Sequence, residues 1–357
     1  MKRLILIVII IFSIFFIYKN QIDPALFNQL KNEGLRIIDE EFLNPIEEML
    51  GLSVPEEEEA APALEKPELD EPVHHTFSIY GIEIGTPKEQ VEAIAGKPQR
   101  TTLNEYGKYW HAYHKNYEHF LFVMYDENEK VVGLYTNQDL ISSSVHIQLG
   151  TDKNTVESIL GDPLTKILKG FVYYEIPADA NYQVYLMDQS YITIFYDIHE
   201  GNIVTAMQII HEEVENGKKD FYQQASNELR EGFEYQMYDL VNAARRKHRL
   251  PVLSWDEHVR KTARDHSVDM AEQNYFSHTN LEGQSPFDRM AEDNLSFTYA
   301  GENLAYGQFS SIFAHEGLMN SKGHRDNILK REFKYLGVGV AFNERHEPFY
   351  TQNFYAK

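Results

Sequence analysis

Two imidazoles and one carboxylate are the residues of this chain best suited to chemistry. His278 follows Tyr275-Phe276-Ser277, Glu302 sits in Gly301-Glu302-Asn303-Leu304, and His324 sits in Ser321-Lys322-Gly323-His324-Arg325-Asp326-Asn327. Glycine, serine and asparagine crowd these stretches, the composition of loops with special backbone shapes. Loops on a rigid scaffold carry a disproportionate share of binding residues, so three converging loops would gather His278, Glu302 and His324 around one point. Two histidines and a carboxylate form an open ligand set for a divalent metal such as zinc. Glu302 would then be a third ligand or the base for a bound water, the machinery of a metal-dependent hydrolase. Without metal, the same groups would hydrogen-bond one another and tie the loops together. A carboxylate between two imidazoles favours their protonated forms, so the metal-free cluster is expected to titrate above the ordinary histidine range.

Further motifs surround these three residues. Phe276-Ser277-His278, Ser285-Pro286-Phe287-Asp288-Arg289, Gly301-Glu302-Asn303-Leu304 and Gly323-His324-Arg325-Asp326-Asn327-Ile328-Leu329 occur in an order and spacing that resembles the bacterial branch of the CAP superfamily. That superfamily joins cysteine-rich secretory proteins, antigen 5 and plant pathogenesis-related 1 proteins. The resemblance covers about Phe233 to Tyr355. It implies an extracytoplasmic α/β/α sandwich whose central cleft holds two histidines and two acidic residues. His278, Glu302 and His324 match three of those positions. The motif register sets Ser321 at the fourth, with Glu316 about a turn earlier. The expected cleft is therefore His278, Glu302, His324, Ser321, Glu316 and Asn303, with His278, Glu302 and His324 as the candidate metal ligands.

The elements that must position these groups are legible nearby. Phe233 to Arg249 reads as a helix with Phe233, Met237, Leu240, Val241 and Ala244 on one face, stopped by Pro251. Ser254-Trp255-Asp256-Glu257 has the form of a capping box. The helix after it would bury Val259, Ala263, His266 and Met270, with His266 a hydrogen-bonded core residue rather than a ligand. Ser285-Pro286 reads as a second cap with proline at the first helical position. Tyr335 to Phe342 and Phe349 to Tyr355 read as strands joined by Asn343 to Pro348. Leu336, Val338 and Val340 alternate with glycines, which suits a strand with a helix packed closely on it.

Upstream lies an internal repeat. Ile84-Gly85-Thr86 leads to Val91, Ile94 and Gly96-Lys97-Pro98, and Leu149-Gly150-Thr151 leads to Val156, Ile159 and Gly161-Asp162-Pro163, offset by 65 residues throughout. Each unit reads as a strand ending at Gly-Thr, a threonine-capped short helix, and a Gly-x-Pro stop. Strands are expected at Tyr117 to Tyr125, Val131 to Thr136, Gln183 to Met187, Tyr191 to Tyr196 and Ile203 to Ile210. Residues 76–211 thus form an α+β domain of two similar repeats, resembling the domain that accompanies CAP domains in some Firmicutes membrane proteins. It is expected to couple closely to the C-terminal domain, because His211 to Phe221 is short and charged. His111, His114 and His119 lie within it; His111 and His114 at helical spacing would share a face, in a packed or solvated role.

The chain begins Met1-Lys2-Arg3, followed by an apolar run from Leu4 to Tyr18 broken only by Ser13, then Lys19. No small residues follow that run, so residues 1–20 read as an uncleaved signal anchor rather than a cleaved peptide. Asp23 to Leu50 reads as an amphipathic helix, and Gly51 to His75, with Glu56 to Glu59 and Pro55, Pro62, Pro67 and Pro72, as an extended acidic linker. The fold class is α+β: this membrane helix, the segment 21–75, the repeat domain 76–211 and a CAP sandwich at 230–357.

Composition bounds the function. The 357 residues include no cysteine, which excludes disulfides and thiolate metal sites. From Arg230 onward, 16 Lys plus Arg against 18 Asp plus Glu leave −2 of the total −22, so the first 229 residues carry −20. No broad basic surface is offered to nucleic acid. The sequence contains no phosphate loop, Gly-x-Ser-x-Gly elbow or His-Glu-x-x-His helix. The expected protein is a single-pass, membrane-anchored, extracytoplasmic module that binds or signals at the bacterial cell surface. Its partners would be the membrane and a small ligand, lipid or cell-wall component.

Overall fold

The computed structural model describes residues 67–169 and 172–357. The expected anchor, the amphipathic helix and the linker up to Lys66 lie outside them. Among the described residues no helix is long and apolar enough to cross a membrane. The last linker residues are tied down, contrary to the expectation of a spacer running to His75. The backbone N–H groups of Val73, His74 and His75 all donate to the Glu83 carboxylate, at 2.8–2.9 Å.

In chain order come β1 (Phe77–Ile79), α1 (Lys88–Ala95), β2 (Arg100–Leu103), β3 (Tyr109–Lys115), β4 (Glu118–Tyr125), β5 (Val131–Thr136), β6 (Ile141–Ser143), α2 (Lys153–Leu160), β7 (Lys166–Lys169), β8 (Val172–Glu175), β9 (Tyr182–Met187), β10 (Ser190–Asp197), β11 (Ile203–His211) and α3 (Glu212–Gly217). Seven of the strands form one sheet in the order β2-β3-β4-β5-β11-β10-β9. Helices α1 and α2 end alike: Gly96 and Gly161 both sit at φ +79° and return their N–H to the carbonyls of Glu92 and Glu157. That left-handed backbone suits glycine. The expected threonine caps do not form. Pro87 and Asp152 hold the N-cap positions, and the hydroxyls of Thr86 and Thr151 instead accept from the N–H of Glu83 and Gln148. His111 and His114 lie on strand β3, not on a helix face; burial pushes both imidazoles down to about 4.

The C-terminal part contains α4 (Asn227–Lys247), β12 (Ser254–Trp255), α5 (Glu257–Gln273), α6 (Pro286–Glu292), β13 (Tyr299–Tyr306), α7 (Ser311–Met319), α8 (Lys322–Ile328), β14 (Tyr335–Phe342) and β15 (Pro348–Ala356). Its four-stranded sheet runs β12-β14-β15-β13, antiparallel except for the β12–β14 pair. Alternation along β14 makes the layers. Leu336, Val338 and Val340 are fully buried against Phe233, Met237 and Leu240 of α4. Gly337 and Gly339 face the backbone of α5. Helices therefore cover both faces of this sheet. The expected capping box at Ser254 is not used, because Ser254 and Trp255 are a strand; Asp256 caps α5, its carboxylate accepting from His258 and Val259 N–H. The box at Ser285 forms as expected.

Helix α4 lies in a core shared by both parts of the chain. The sheet of the upstream part buries Leu121, Val123, Leu134 and Ile209 on one face, with Val91 and Val156 from α1 and α2. Its other face presents Trp110, Phe122 and Tyr135 to the α4 core. Contact is close enough that a Cβ at Gly232 would lie 2.2 Å from the Leu103 carbonyl oxygen. Polar pins reinforce it: Arg100 Nε donates to Asp239 at 3.1 Å, and Gln236 Nε2 donates to the Leu103 carbonyl at 2.8 Å.

Candidate functional site

The three chemistry-bearing residues come from three kinds of element rather than three loops. His278 lies in the turn after α5, Glu302 on the buried strand β13, and His324 in helix α8. The loop expected at Gly301-Glu302-Asn303-Leu304 does not form, because this stretch pairs residue for residue with β15, Glu302 opposite Asn353. Gly301 is needed for contact: a Cβ there would meet Phe333 at 2.9 Å and Asn327 Oδ1 at 3.1 Å.

The Glu302 carboxylate is the centre of the cluster. Its side chain is 1% exposed and both oxygens are engaged: His278 Nδ1 is 2.9 Å from Oε1, and Arg289 donates to Oε2 at 2.7 Å. Arg289 also donates to the carbonyls of His278 and Gln284, at 2.9 and 3.0 Å. One guanidinium thus fixes the acid and the loop that carries His278. The Ser285–Asp288 capping box sets helix α6 so that Arg289 points inward. Arg289 closes the Ser285-Pro286-Phe287-Asp288-Arg289 motif, yet nothing in the sequence assigns it this role; a lone arginine beside a capping box carries no mark of burial.

His324 is held by its backbone. Asn303 donates to the His324 carbonyl at 3.1 Å and to Gln352 Oε1 at 3.0 Å, and Asn327 donates to Asn303 Oδ1 at 2.9 Å. The His324 Nδ1 is buried without a protein partner. Burial, and then the neighbouring His278, push its imidazole below the ordinary range. For His324 this is the reverse of the upward shift expected: Arg289, not His324, takes the second carboxylate oxygen. Ser321 is the N-cap residue of α8, but its hydroxyl makes no capping bond. His266 is the buried core residue expected, Nε2 3.0 Å from the Ser277 carbonyl oxygen, with burial lowering its pKa.

Glu316, expected beside the histidines, faces the upstream domain instead. It is buried on α7 and accepts a 2.6 Å hydrogen bond from Tyr135 of β5. Arg325, next to His324, reaches the same domain, donating to Asp197 at 2.8 Å. Desolvation pushes the Glu316 carboxyl up to about 7, against the opposing pull of the Tyr135 hydroxyl and Lys247. A carboxyl raised above its unfolded value binds more protons when folded, so its cost is absent below about pH 4.5 and complete above pH 7. Glu316→Gln keeps the acceptor and the volume. Its melting temperature is expected to match wild type at pH 5 and to exceed it by several degrees at pH 8, a gain on the order of 3 kcal/mol at most. Equal melting temperatures at pH 8 would overturn this.

The fit of a metal can be read from the same geometry. Among the described residues no group of three His, Cys, Asp or Glu side chains is placed to hold a metal ion. Arg289 accounts for this locally, because it occupies the carboxylate oxygen that a cation would need.

Residues 84–221 match the profile described as CAP-associated N-terminal, and residues 238–354 that of the Cysteine-rich secretory protein family. The chain belongs to the CAP superfamily: a bacterial CAP domain preceded by its associated N-terminal domain. It is 29% identical over 287 residues to the uncharacterized membrane protein YlbC of Bacillus subtilis (strain 168), covering 76% of this chain and 82% of YlbC. It is 40% identical over 125 residues to the uncharacterized protein YkwD of the same organism, 35% of this chain and 48% of YkwD. Among solved structures it resembles an extracellular protein containing a SCP domain from Bacillus anthracis, with TM-score 0.68 and 25% identity, covering 83% of this chain and 100% of that one. A cysteine-rich secretory protein from Staphylococcus aureus shares the fold, with TM-score 0.63 and 14% identity over 80% of this chain and 95% of that one.

Proposed function

We propose that this protein is a membrane-anchored, extracytoplasmic binding module, and that its CAP domain presents His278, Glu302 and His324 to a small ligand, lipid or wall component. The observation that carries the binding reading is the contrast within the cluster. Glu302 is sealed and paired, while the side chain of His278 is 51% exposed and His324 keeps an unpartnered buried nitrogen. A rigid charged base under one half-exposed imidazole, with a second imidazole close enough to that ring to feel its charge and holding spare hydrogen-bonding capacity, is the arrangement of a preorganised recognition site. The anchoring reading is supported by the Leu4–Tyr18 run, by YlbC being named a membrane protein, and by the extracellular character of the Bacillus anthracis relative. The matching glycine C-caps of α1 and α2 support reading the associated domain as a duplicated unit.

Two measurements test the proposal. Protease added outside intact cells is expected to strip the described domains and leave a membrane stub; complete protection would rule out the topology. Purified full-length protein is expected to co-sediment with isolated wall sacculi, and His278→Ala/His324→Ala to weaken that binding. Undiminished binding by the double variant would remove the cluster from recognition.

A further inference from the structure

The seven-stranded sheet is wider than the helix that covers it. Helix α4 packs over β2 to β5, and the same sheet face continues across β11, β10 and β9. There it presents three successive rows, Ile210–Tyr191, Gln208–Thr193–Val184 and Phe195–Tyr182, read from the strand register. Over these rows lies a cavity of about 390 Å³, within the ~300–1,000 Å³ of ligand sites. Its opposite wall is the CAP segment from Gly307 through Phe309 and Phe313 to Asn320, with Tyr174 and Phe221 at one side.

Three features define what it would hold. The walls are aromatic and mutually braced: Phe309 and Phe313 lie 4.5 Å apart, Phe313 and Tyr182 5.1 Å, Phe221 and Tyr174 5.1 Å between centroids. Such faces stack on flat apolar surfaces. The middle row of the floor is polar where its neighbours are apolar. Gln208 is 2% exposed and its Nε2 donor has no partner, while across the cavity the Gln308 Oε1 acceptor is buried and equally unpartnered. A buried amide left unpaired costs about 1–3 kcal/mol, so an orphan donor and an orphan acceptor facing one cavity call for an occupant that supplies both. Finally, among the described residues no lysine, arginine or histidine lines the cavity, whereas Glu175, Glu215 and Glu316 do. The Lys218 ammonium lies 4.3 Å over the Phe309 ring, but three carboxyl groups lining the cavity outnumber it, and anionic ligands are disfavoured.

We propose that the cavity between the associated domain and the CAP domain is a second binding site, for a neutral saccharide of one or two rings. A sugar ring offers apolar C–H faces to the aromatic walls, and hydroxyl or N-acetyl edges that accept from Gln208 and donate to Gln308. The site is distinct from the His278–His324 cluster and does not depend on it.

Calorimetric titration of the full-length protein with N-acetylglucosamine, its β-1,4 disaccharide and maltose tests this, with gluconate and phenol as anionic and apolar controls. Saturable binding of at least one neutral saccharide is expected, without binding of gluconate. Gln208→Leu and Phe309→Leu are expected to weaken it about tenfold or more, the loss of one hydrogen bond or one stacked ring, while Lys261→Ala, at an exposed position on α5, leaves it unchanged. Absence of saccharide binding at tens of millimolar, or equal affinity in the Gln208→Leu variant, would overturn the proposal. So would phenol binding to wild type as tightly as any sugar, because the cavity would then be merely apolar. Co-sedimentation with glycan polymer, compared with the free sugars, tells a wall-chain ligand from a soluble one.

Discussion

Gly339→Ala is expected to leave no stably folded CAP domain. A Cβ at this position would lie 2.0 Å from the backbone nitrogen of Arg264 and 2.2 Å from the carbonyl carbon of Ala263. These are main-chain atoms of α5, so no side-chain rotation relieves the clash, and the helix must move as a body. It is not free to do so. Ser267 Oγ donates to the Gly339 carbonyl at 3.0 Å and lies 2.8 Å from the Thr351 hydroxyl. Val259, Ala263 and Met270 are fully buried beneath it. Arg260 and Arg264 both pair with the buried Glu234, which also accepts from Val340 N–H at 3.1 Å. Overpacking against fixed backbone with loss of these bonds is expected to cost about 4 kcal/mol or more. Gly317→Ala is the control: it lies within α7 with nothing within 4 Å of the new Cβ, and should change stability by no more than about 1 kcal/mol, in the stabilising direction. Thermal denaturation of both variants decides the matter. A Gly339→Ala protein melting within a degree or two of wild type would mean that α5 does not pack directly on β14.

That glycine pair illustrates what a sequence can and cannot disclose. Leu336, Val338 and Val340 alternating with glycines announced both a strand and a close helix, since a strand face without side chains has few other uses. Strand β5 and strand β14 fall where periodicity placed them. Strands β2 and β3 were not foreseen. Arg100 to Leu103 has no apolar alternation, and it becomes a strand because α4 packs on it, with Gly232 against the Leu103 carbonyl. The same tertiary override turned Gly301-Glu302-Asn303-Leu304 from a loop into β13. Glycine and asparagine read locally as turn formers, whereas here Gly301 makes room for Asn327 and Phe333, and Asn303 spends its amide on His324 and Gln352. At the site, residue types pointed to His278, Glu302 and His324. Nothing local could show that Arg289 would take the second carboxylate oxygen, or that Glu316 would turn toward Tyr135, because both facts belong to contacts distant in sequence.

Arg289→Ala is expected to damage the site more than loss of either histidine. The Arg289 guanidinium makes three hydrogen bonds, one of them to a carboxylate that is 1% exposed. Removing it leaves Glu302 as a buried anion whose remaining side-chain partner is His278 Nδ1, and removing one partner of a buried ion pair costs about 3–5 kcal/mol. The turn carrying His278 would also lose its anchor, since the His278 carbonyl accepts from Arg289. By contrast His278→Ala removes a half-exposed ring and leaves the ion pair intact, so a cost near 1 kcal/mol is expected. Arg289→Lys should recover part of the loss, because a single ammonium restores charge but cannot span the carboxylate and both carbonyls. The decisive comparison is the double variant Arg289→Ala/Glu302→Gln. With the buried anion gone, the double variant should be more stable than Arg289→Ala alone, a coupling of about 1–3 kcal/mol. If denaturation shows the two single costs simply adding, then Arg289 and Glu302 do not act as a pair, and the rigid base beneath His278 on which the binding proposal stands is not there.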